Sequence, residues 1–436
     1  MILNQRLVVS AIISTMARLL FFIFFSFSLF AEPPQSTQPK VITLNQAIQE
    51  ALDHNLDLLA ERYNLSLSET RMITAKLRPN PVASFGYIYV PIPGTGFNYL
   101  QGVGPTEWNS RVDFILERGG KRSQRMNLAK QDREVVELGV RDTIRSIIYA
   151  VQGAFVNIQL AKESVVLAED NLKAFQGIVD INTARVNAGD LAKVELVRTQ
   201  VAALQFQNAV QQNEMQLIQA KIRLQQLLGR NEAQQDFDIT GDIRRDSTTP
   251  SMDQLQDLAR LNRPDIQEIQ AAQVRSQADI RLQMAQGKVD YTVGAQYSHQ
   301  RISPGTGSTV SVFFSAPLPV FNRNQGEILR AQRESEQWAA RLKAAQNSVN
   351  AEVRSAYQEY STNKNLLENI ESNMVNQAKD VRRITEYSYR RGEASLVEFL
   401  DAQRAFNDTM QSYNQARADF ARSLFLLDSV TGQPPK

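Results

Sequence analysis

Glu398 and Asp401 stand three residues apart, so on a helix their carboxylates share one face. A pair of like charges there can gather cations. As a general acid and base it would need a pocket and a polarised partner, and Asp/Glu pairs on long polar helices are ordinarily solvated. Little else in the chain can make or break bonds. It has two histidines, His54 and His299, far apart in sequence, and no cysteine. Zinc or copper therefore lacks its usual ligands, and no phosphate-binding loop occurs. The residues predict no enzyme, no cofactor and no dedicated metal site.

The passage that carries Glu398 occurs twice, 203 residues apart. Gly189-Asp190, Val194-Glu195 and Gln200 answer Gly392-Glu393, Val397-Glu398 and Gln403 in ungapped register. The match runs to Gly229 and Gly432, with eight identities in 41 positions. Upstream, Thr43–Leu58 answers Ser251–Ile266 and Gly86 answers Gly294, each at an offset of 208. Pro93-Gly94-Thr95-Gly96 likewise answers Pro304-Gly305-Thr306-Gly307. A period this long predicts a doubled domain and not a solenoid.

Residues 1–31 read as an export signal: Arg6 and Arg18 precede an apolar run from Leu19 to Phe30, too short to span a bilayer. Met16 is an alternative start that would leave a compact leader. Without residues 1–31 the basic count falls from 48 to 46, level with the 46 acids. A neutral chain offers no basic surplus for nucleic acid. With no cysteine there is neither a disulfide framework nor the residue an N-terminal lipid anchor requires. No other stretch is apolar enough for a membrane helix, so any insertion must use strands.

Within each copy the hydrophobic period changes in a fixed order. Thr43 to about Arg78 predicts a helix closed by Pro79 and Pro81. Val82–Val90 alternates, with Ala83, Phe85, Tyr87 and Tyr89 on one face, and Arg111–Leu116 alternates again. Gly120 to Val186 is free of proline; Ile144, Ile148, Val151, Phe155 and Ile158, then Val165, Ala168, Leu172, Phe175 and Val179, form a coiled-coil seam. After Asn187-Ala188-Gly189 a shorter helix runs from Asp190 to Leu228, its seam Val194, Val197, Val201, Leu204, Met215, Ile218 and Ile222. Met252–Gln286, Val289–Ser298, Val310–Ala316, Gln325–Arg391 and Glu393–Val430 repeat the plan. Two shorter helices stacked end to end would match the long one and form a second column beside it.

The domain plan is thus leader 1–31, extended segment 32–42, first repeat 43–230, a linker or equatorial segment 231–250, second repeat 251–430 and tail 431–436. Four strands cannot close a barrel, and a membrane tolerates only closed sheets.

This order of elements resembles the TolC-like outer-membrane efflux proteins over nearly the whole mature chain. Ala47–Leu58, Arg78-Pro79-Asn80-Pro81 and the two Gly-acid turns carry the resemblance. Glu117-Arg118-Gly119-Gly120-Lys121-Arg122 resembles the heavy-metal, CzcC-type members. The resemblance implies a mainly α fold with a small β part: a homotrimer in the outer membrane of a Gram-negative bacterium, with a twelve-stranded β-barrel (four strands per chain) over a coiled-coil α-helical barrel in the periplasm. Partners would be a periplasmic adaptor and an inner-membrane pump of the RND type; the cargo would be metal cations or small toxic compounds. Gly189 and Gly392 would lie at the periplasmic tip. There Glu398 and Asp401 match the family's acidic constriction, two stacked carboxylate rings. Tyr389 and Glu195 match a tyrosine–acid link that holds the inner helices closed. The family's latching arginine is replaced by Ala394, which leaves Arg198, Arg390 and Arg391 as gate cations. Two other readings stay open: the duct of a type I protein-secretion system, and a periplasmic structural or adaptor coiled coil.

Overall fold

The computed structural model describes residues 40–90, 106–230, 237–246, 251–302 and 305–433. The leader 1–31, most of the 32–42 segment, the Pro93–Gly96 loop, Pro304, parts of the 231–250 segment and the last three residues of the tail lie outside them. Two compact units are distinguished. The smaller one holds Lys40–Val41 and Phe237–Asp238, within the two-stranded pairing of β1 (Lys40–Ile42) and β4 (Phe237–Ile239).

The larger unit runs in two comparable halves. The first has α1 (Leu44–His54), α2 (Leu56–Lys76), β2 (Val82–Ile88), β3 (Glu107–Leu116), α3 (Lys121–Ala188) and α4 (Lys193–Leu227). The second has α5 (Met252–Asn262), α6 (Pro264–Gln286), β5 (Tyr291–Ile302), β6 (Gly305–Ser315), α7 (Gln325–Asn369), a π-helical turn at Ile370–Met374, α8 (Val375–Arg391) and α9 (Leu396–Thr431). At 68 residues, α3 extends about 100 Å.

Three expected helices differ from expectation. Thr43–Arg78 is two helices because Asn55 turns extended: its side chain accepts from the Leu58 amide and donates to the Leu227 carbonyl at 2.9 Å. Met252–Gln286 breaks at Arg263, where Pro264 supplies no amide hydrogen and drives the residue before it out of the helical region. Gln325–Arg391 is helical throughout but passes through the π turn, where Glu371 is held by Arg245 and Tyr413.

Each break receives the end of a shorter helix. Gly229 and Gly432 adopt positive φ, and a Cβ on them would lie 2.1 Å from the His54 carbonyl oxygen and 2.8 Å from the Asn262 carbonyl carbon. No side chain fits, so α4 and α9 butt directly against the α1–α2 and α5–α6 breaks. Buried Arg263 seals the second junction by pairing with Asp265 and Glu352.

The other four strands form an antiparallel sheet in the order β2-β3-β5-β6, which leaves β2 and β6 as open edges. β3, β5 and β6 start or end several residues from the expected bounds, and Tyr89 falls outside β2 at φ 58°. Register places Phe85, Tyr87, Val112, Phe114, Val293, Tyr297, Val310, Val312 and Phe314 on one face. That face is bare: Phe85 is 82% exposed and Val312 77%. The opposite face is polar, with Arg111 on Asp113 and Glu107 accepting from Gln300. Gly86 and Gly294 leave room there for Asn109 and Asp113. Among the described residues no helix is long and apolar enough to cross a membrane.

Candidate functional site

The sequence-predicted residues gather where α3 turns into α4 and α8 into α9. Both turns begin at a glycine in the left-handed region, Gly189 at φ 83° and Gly392 at φ 80°. They end differently. Ala192 gives α4 no side-chain cap, whereas Ser395 caps α9 in a reciprocal box with Glu398.

That box occupies Glu398. Its carboxylate accepts from the Ser395 amide at 2.7 Å and from the Ser395 hydroxyl at 2.9 Å. The backbone donor, then the hydroxyl, hold its pKa below the ordinary carboxylate value. Glu398 is therefore an exposed, firmly ionised anion whose position is set by the helix cap. Asp401, one turn on, is also exposed and faces Arg404 at 3.7 Å. Both residues lie in the first two turns of α9, where Arg404 adds a cation beside Asp401.

Tyr389 is buried, yet its phenol does not meet the Glu195 carboxylate. It donates to Asn182 Oδ1 at 3.0 Å, and Asn182 Nδ2 lies 2.7 Å from the phenol oxygen and 2.8 Å from Thr199 Oγ1. Thr199 donates in turn to the Glu195 backbone carbonyl at 2.8 Å. Glu195 contributes its main chain to this junction, while its carboxylate turns to Arg198 at 3.5 Å. The tyrosine–acid link is thus corrected to a tyrosine–asparagine–threonine link joining α8, α3 and α4. Burial pushes the Tyr389 phenol above its ordinary value, against the pull of the Asn182 bond. The junction is uncharged.

An aromatic cluster surrounds it. Tyr389 stacks on Phe399 with centroids 5.3 Å apart, and Phe175 packs against Phe399 and Phe206. One turn beyond Phe399 on α9, Gln403 donates to Asn171 and Asn171 to Asn407, each at 2.8 Å. Arg390 pairs with Glu386; Arg391 stacks on Tyr387 and reaches Glu393 at 4.0 Å. None of the three expected gate cations contacts the buried junction. Arg185 also reaches this turn: a Cβ on Gly392 would lie 3.0 Å from its guanidinium.

Asn171, Asn182 and Thr199 escaped sequence reasoning because polar residues were left out of the seams. The buried seam of α3 runs Ala168, Asn171, Phe175, Ile178 and Asn182, in place of the expected Leu172 and Val179. An asparagine at helical spacing from Phe175 was the available signal. For α4 the difference is larger. The buried residues are Thr199, Ala202 and Leu224, and all seven expected seam residues from Val194 to Ile222 are exposed.

The family model described as outer membrane efflux protein matches residues 110–230 and 255–433. The cobalt-zinc-cadmium resistance protein CzcC of Cupriavidus metallidurans is 22% identical over 395 residues, covering 90% of each chain. The pyoverdine export outer membrane protein OpmQ of Pseudomonas putida is 24% identical over 401 residues, 83% of this chain and 80% of the relative. The crystal structure of CusC superposes with a TM-score of 0.74 at 18% identity, covering 94% of this chain and 96% of that one.

Proposed function

This chain belongs to the outer membrane efflux protein family, and on that premise we propose that three copies build a passive duct through the outer membrane and periplasm. Each copy would supply four strands to a twelve-stranded barrel and its helices to a periplasmic tunnel. The observation that carries this reading is the four-stranded sheet with a bare apolar face, a polar face and two open edges. A sheet of this kind is stable in a bilayer only when its edges pair with those of other copies. The exposed seam of α4 supports the same conclusion, because a row of half-exposed Val, Leu and Ile at coiled-coil spacing requires a partner helix.

In this reading the two halves descend from one duplicated unit, residues 1–31 direct export, and the 231–250 segment sits at the equator. The α3–α4 and α8–α9 turns form the periplasmic tip, facing an adaptor and an RND-type pump. Glu398 and Asp401 become two carboxylate rings that favour cations. The aromatic cluster and the Tyr389–Asn182–Thr199 junction hold the tip helices together. Divalent metal cations are the cargo class favoured by the acidic tip and by the likeness to CzcC; small organic compounds are the alternative that the likeness to OpmQ supports.

The test is the state of the protein extracted from membranes. A heat-modifiable trimer in the outer-membrane fraction is expected. A monomer in the periplasmic fraction would overturn the proposal in favour of a soluble coiled coil.

A further inference from the structure

The motif Glu117–Arg122 has no role in the duct described above. It lies at the end of the sheet where β3 leaves and β5 enters, and the chain is basic there. Glu117 is taken by Arg125, and Asp290 accepts from Lys121 at 2.7 Å and from the Arg118 amide at 2.9 Å. The local acids are thereby spent. Arg118, Arg122 and Lys288 have no carboxylate partner among the described residues; Arg118 and Lys288 are exposed, while half-buried Arg122 donates its Nε to the Lys76 carbonyl at 2.7 Å and keeps its terminal nitrogens for a ligand. Lys288 lies against Gly119, where a Cβ would come within 2.7 Å of its side chain, so the two cations flank one short turn.

Geometry ties this patch to the apolar face. The Arg118 guanidinium stacks over the Tyr291 ring at 4.3 Å and bonds its hydroxyl. Tyr291 itself packs on Phe314, in register with the bare apolar residues. Leu116, two residues before Arg118, is exposed on the same face as Phe114. The opposite end of β3 has the acid Glu107 bonded to Gln300. An apolar surface bordered at one end by cations whose charge no carboxylate neutralises complements a molecule with acyl chains and an anionic head.

We propose that Arg118, Arg122 and Lys288 hold the phosphate of an anionic phospholipid of the periplasmic leaflet, with its acyl chains along Leu116, Phe114 and Tyr291. The proposal rests on the reading of the sheet as a membrane barrel. The Arg118–Tyr291 stack orients the guanidinium toward the headgroup, while the Lys121–Asp290 pair holds the turn that presents it. Cations beside a membrane surface each strengthen attachment severalfold, and salt weakens the effect.

The test is native mass spectrometry of the full-length protein, purified in detergent and incubated with phosphatidylglycerol, phosphatidylcholine or inorganic phosphate. The wild type is expected to retain phosphatidylglycerol in preference to phosphatidylcholine, with the preference falling as salt rises and inorganic phosphate leaving no adduct. The triple variant Arg118→Gln/Arg122→Gln/Lys288→Gln should lose the preference, on the order of fivefold per cation removed. Equal retention of both lipids by the wild type, or an undiminished preference in the variant, would overturn the inference, as would an adduct with inorganic phosphate alone. If the triple variant does not assemble, the salt dependence of the wild type decides: a preference unchanged by salt refutes the clamp. Heat-modifiability of the same wild-type sample separates the two levels. A heat-modifiable trimer without lipid preference sinks the clamp alone; a protein that is not heat-modifiable sinks the barrel reading as well.

Discussion

The two shorter helices at the tip have nearly the same length and the same Gly-acid, Val-Glu, Gln passage, but they live in different surroundings. The α4 helix buries three residues within the chain, Thr199, Ala202 and Leu224; the α9 helix buries sixteen. Gln403 is 1% exposed and bonded to Asn171, while its counterpart Gln200 lies open. Glu398 closes a helix cap, while its counterpart Glu195 follows an uncapped start. One helix is completed by its own chain and the other is left bare. Likeness in sequence therefore does not carry likeness in burial. On the proposed trimeric reading the bare helix is covered by a neighbour, so that a repeated unit in a ring has one set of contacts inside the chain and another between chains.

The largest expected effect separates these two environments directly. Val201→Glu with Ile218→Glu on the bare seam of α4 should abolish the trimer in sizing with light scattering while helical circular dichroism persists. Ala421→Glu, at a site on α9 with no exposure, should prevent folding altogether, because it buries an unpaired charge. Loss of fold in both cases would erase the distinction between the helices.

Glycines offer a graded version. Gly432→Ala and Gly229→Ala add left-handed strain and press a methyl group into backbone, so each should cost about 1–3 kcal/mol in denaturant melts. Gly189→Ala has the same backbone but nothing near it, and about 1 kcal/mol is expected. Equal losses at all three would remove the stacked junctions from the account.

At the tip, Asn182→Ala leaves the Tyr389 hydroxyl and Thr199 without their partner, a loss of about 1–3 kcal/mol. It should raise open-channel events in bilayer recordings, whereas Glu195→Gln should leave them unchanged. Because burial raises the Tyr389 pKa, its neutral-phenol contribution is fully present below the ordinary value of 10.0 and is lost only as pH rises through the higher folded value. Gating should accordingly show no step between about pH 6 and 9 from this group.

The smallest effect concerns the cap. Glu398 has a lowered pKa, so its contribution is present above the ordinary value of 4.5 and is lost as pH falls through the lower folded value. Ser395→Ala should move the acid loss of multivalent-cation block upward in pH, toward 4.5. An unmoved midpoint would mean that the cap does not tune the ring.

Much of the element order could be read from the chain, because proline, glycine and the switch from period two to period three and four mark boundaries locally. The Ser395–Glu398 box and the two glycine turns are local features of this kind. Asn55 was not legible: its break depends on a carbonyl at Leu227, 172 residues away. The α4 seam was legible as apolar, but periodicity reports that a face needs a partner and not which chain provides it. The partner of Tyr389 was missed for a related reason. A buried asparagine on α3 satisfies the phenol without a charge, and the resemblance directed attention to acids.

The central claim is a trimeric duct whose acidic tip selects cations, and the most direct measurement is the reversal potential of single channels in a neutral-lipid bilayer under a salt gradient. The account predicts a small conductance strongly selective for cations, with the selectivity reduced in Glu398→Ala/Asp401→Ala. A conductance without ion preference, or one unchanged in the double variant, would contradict it.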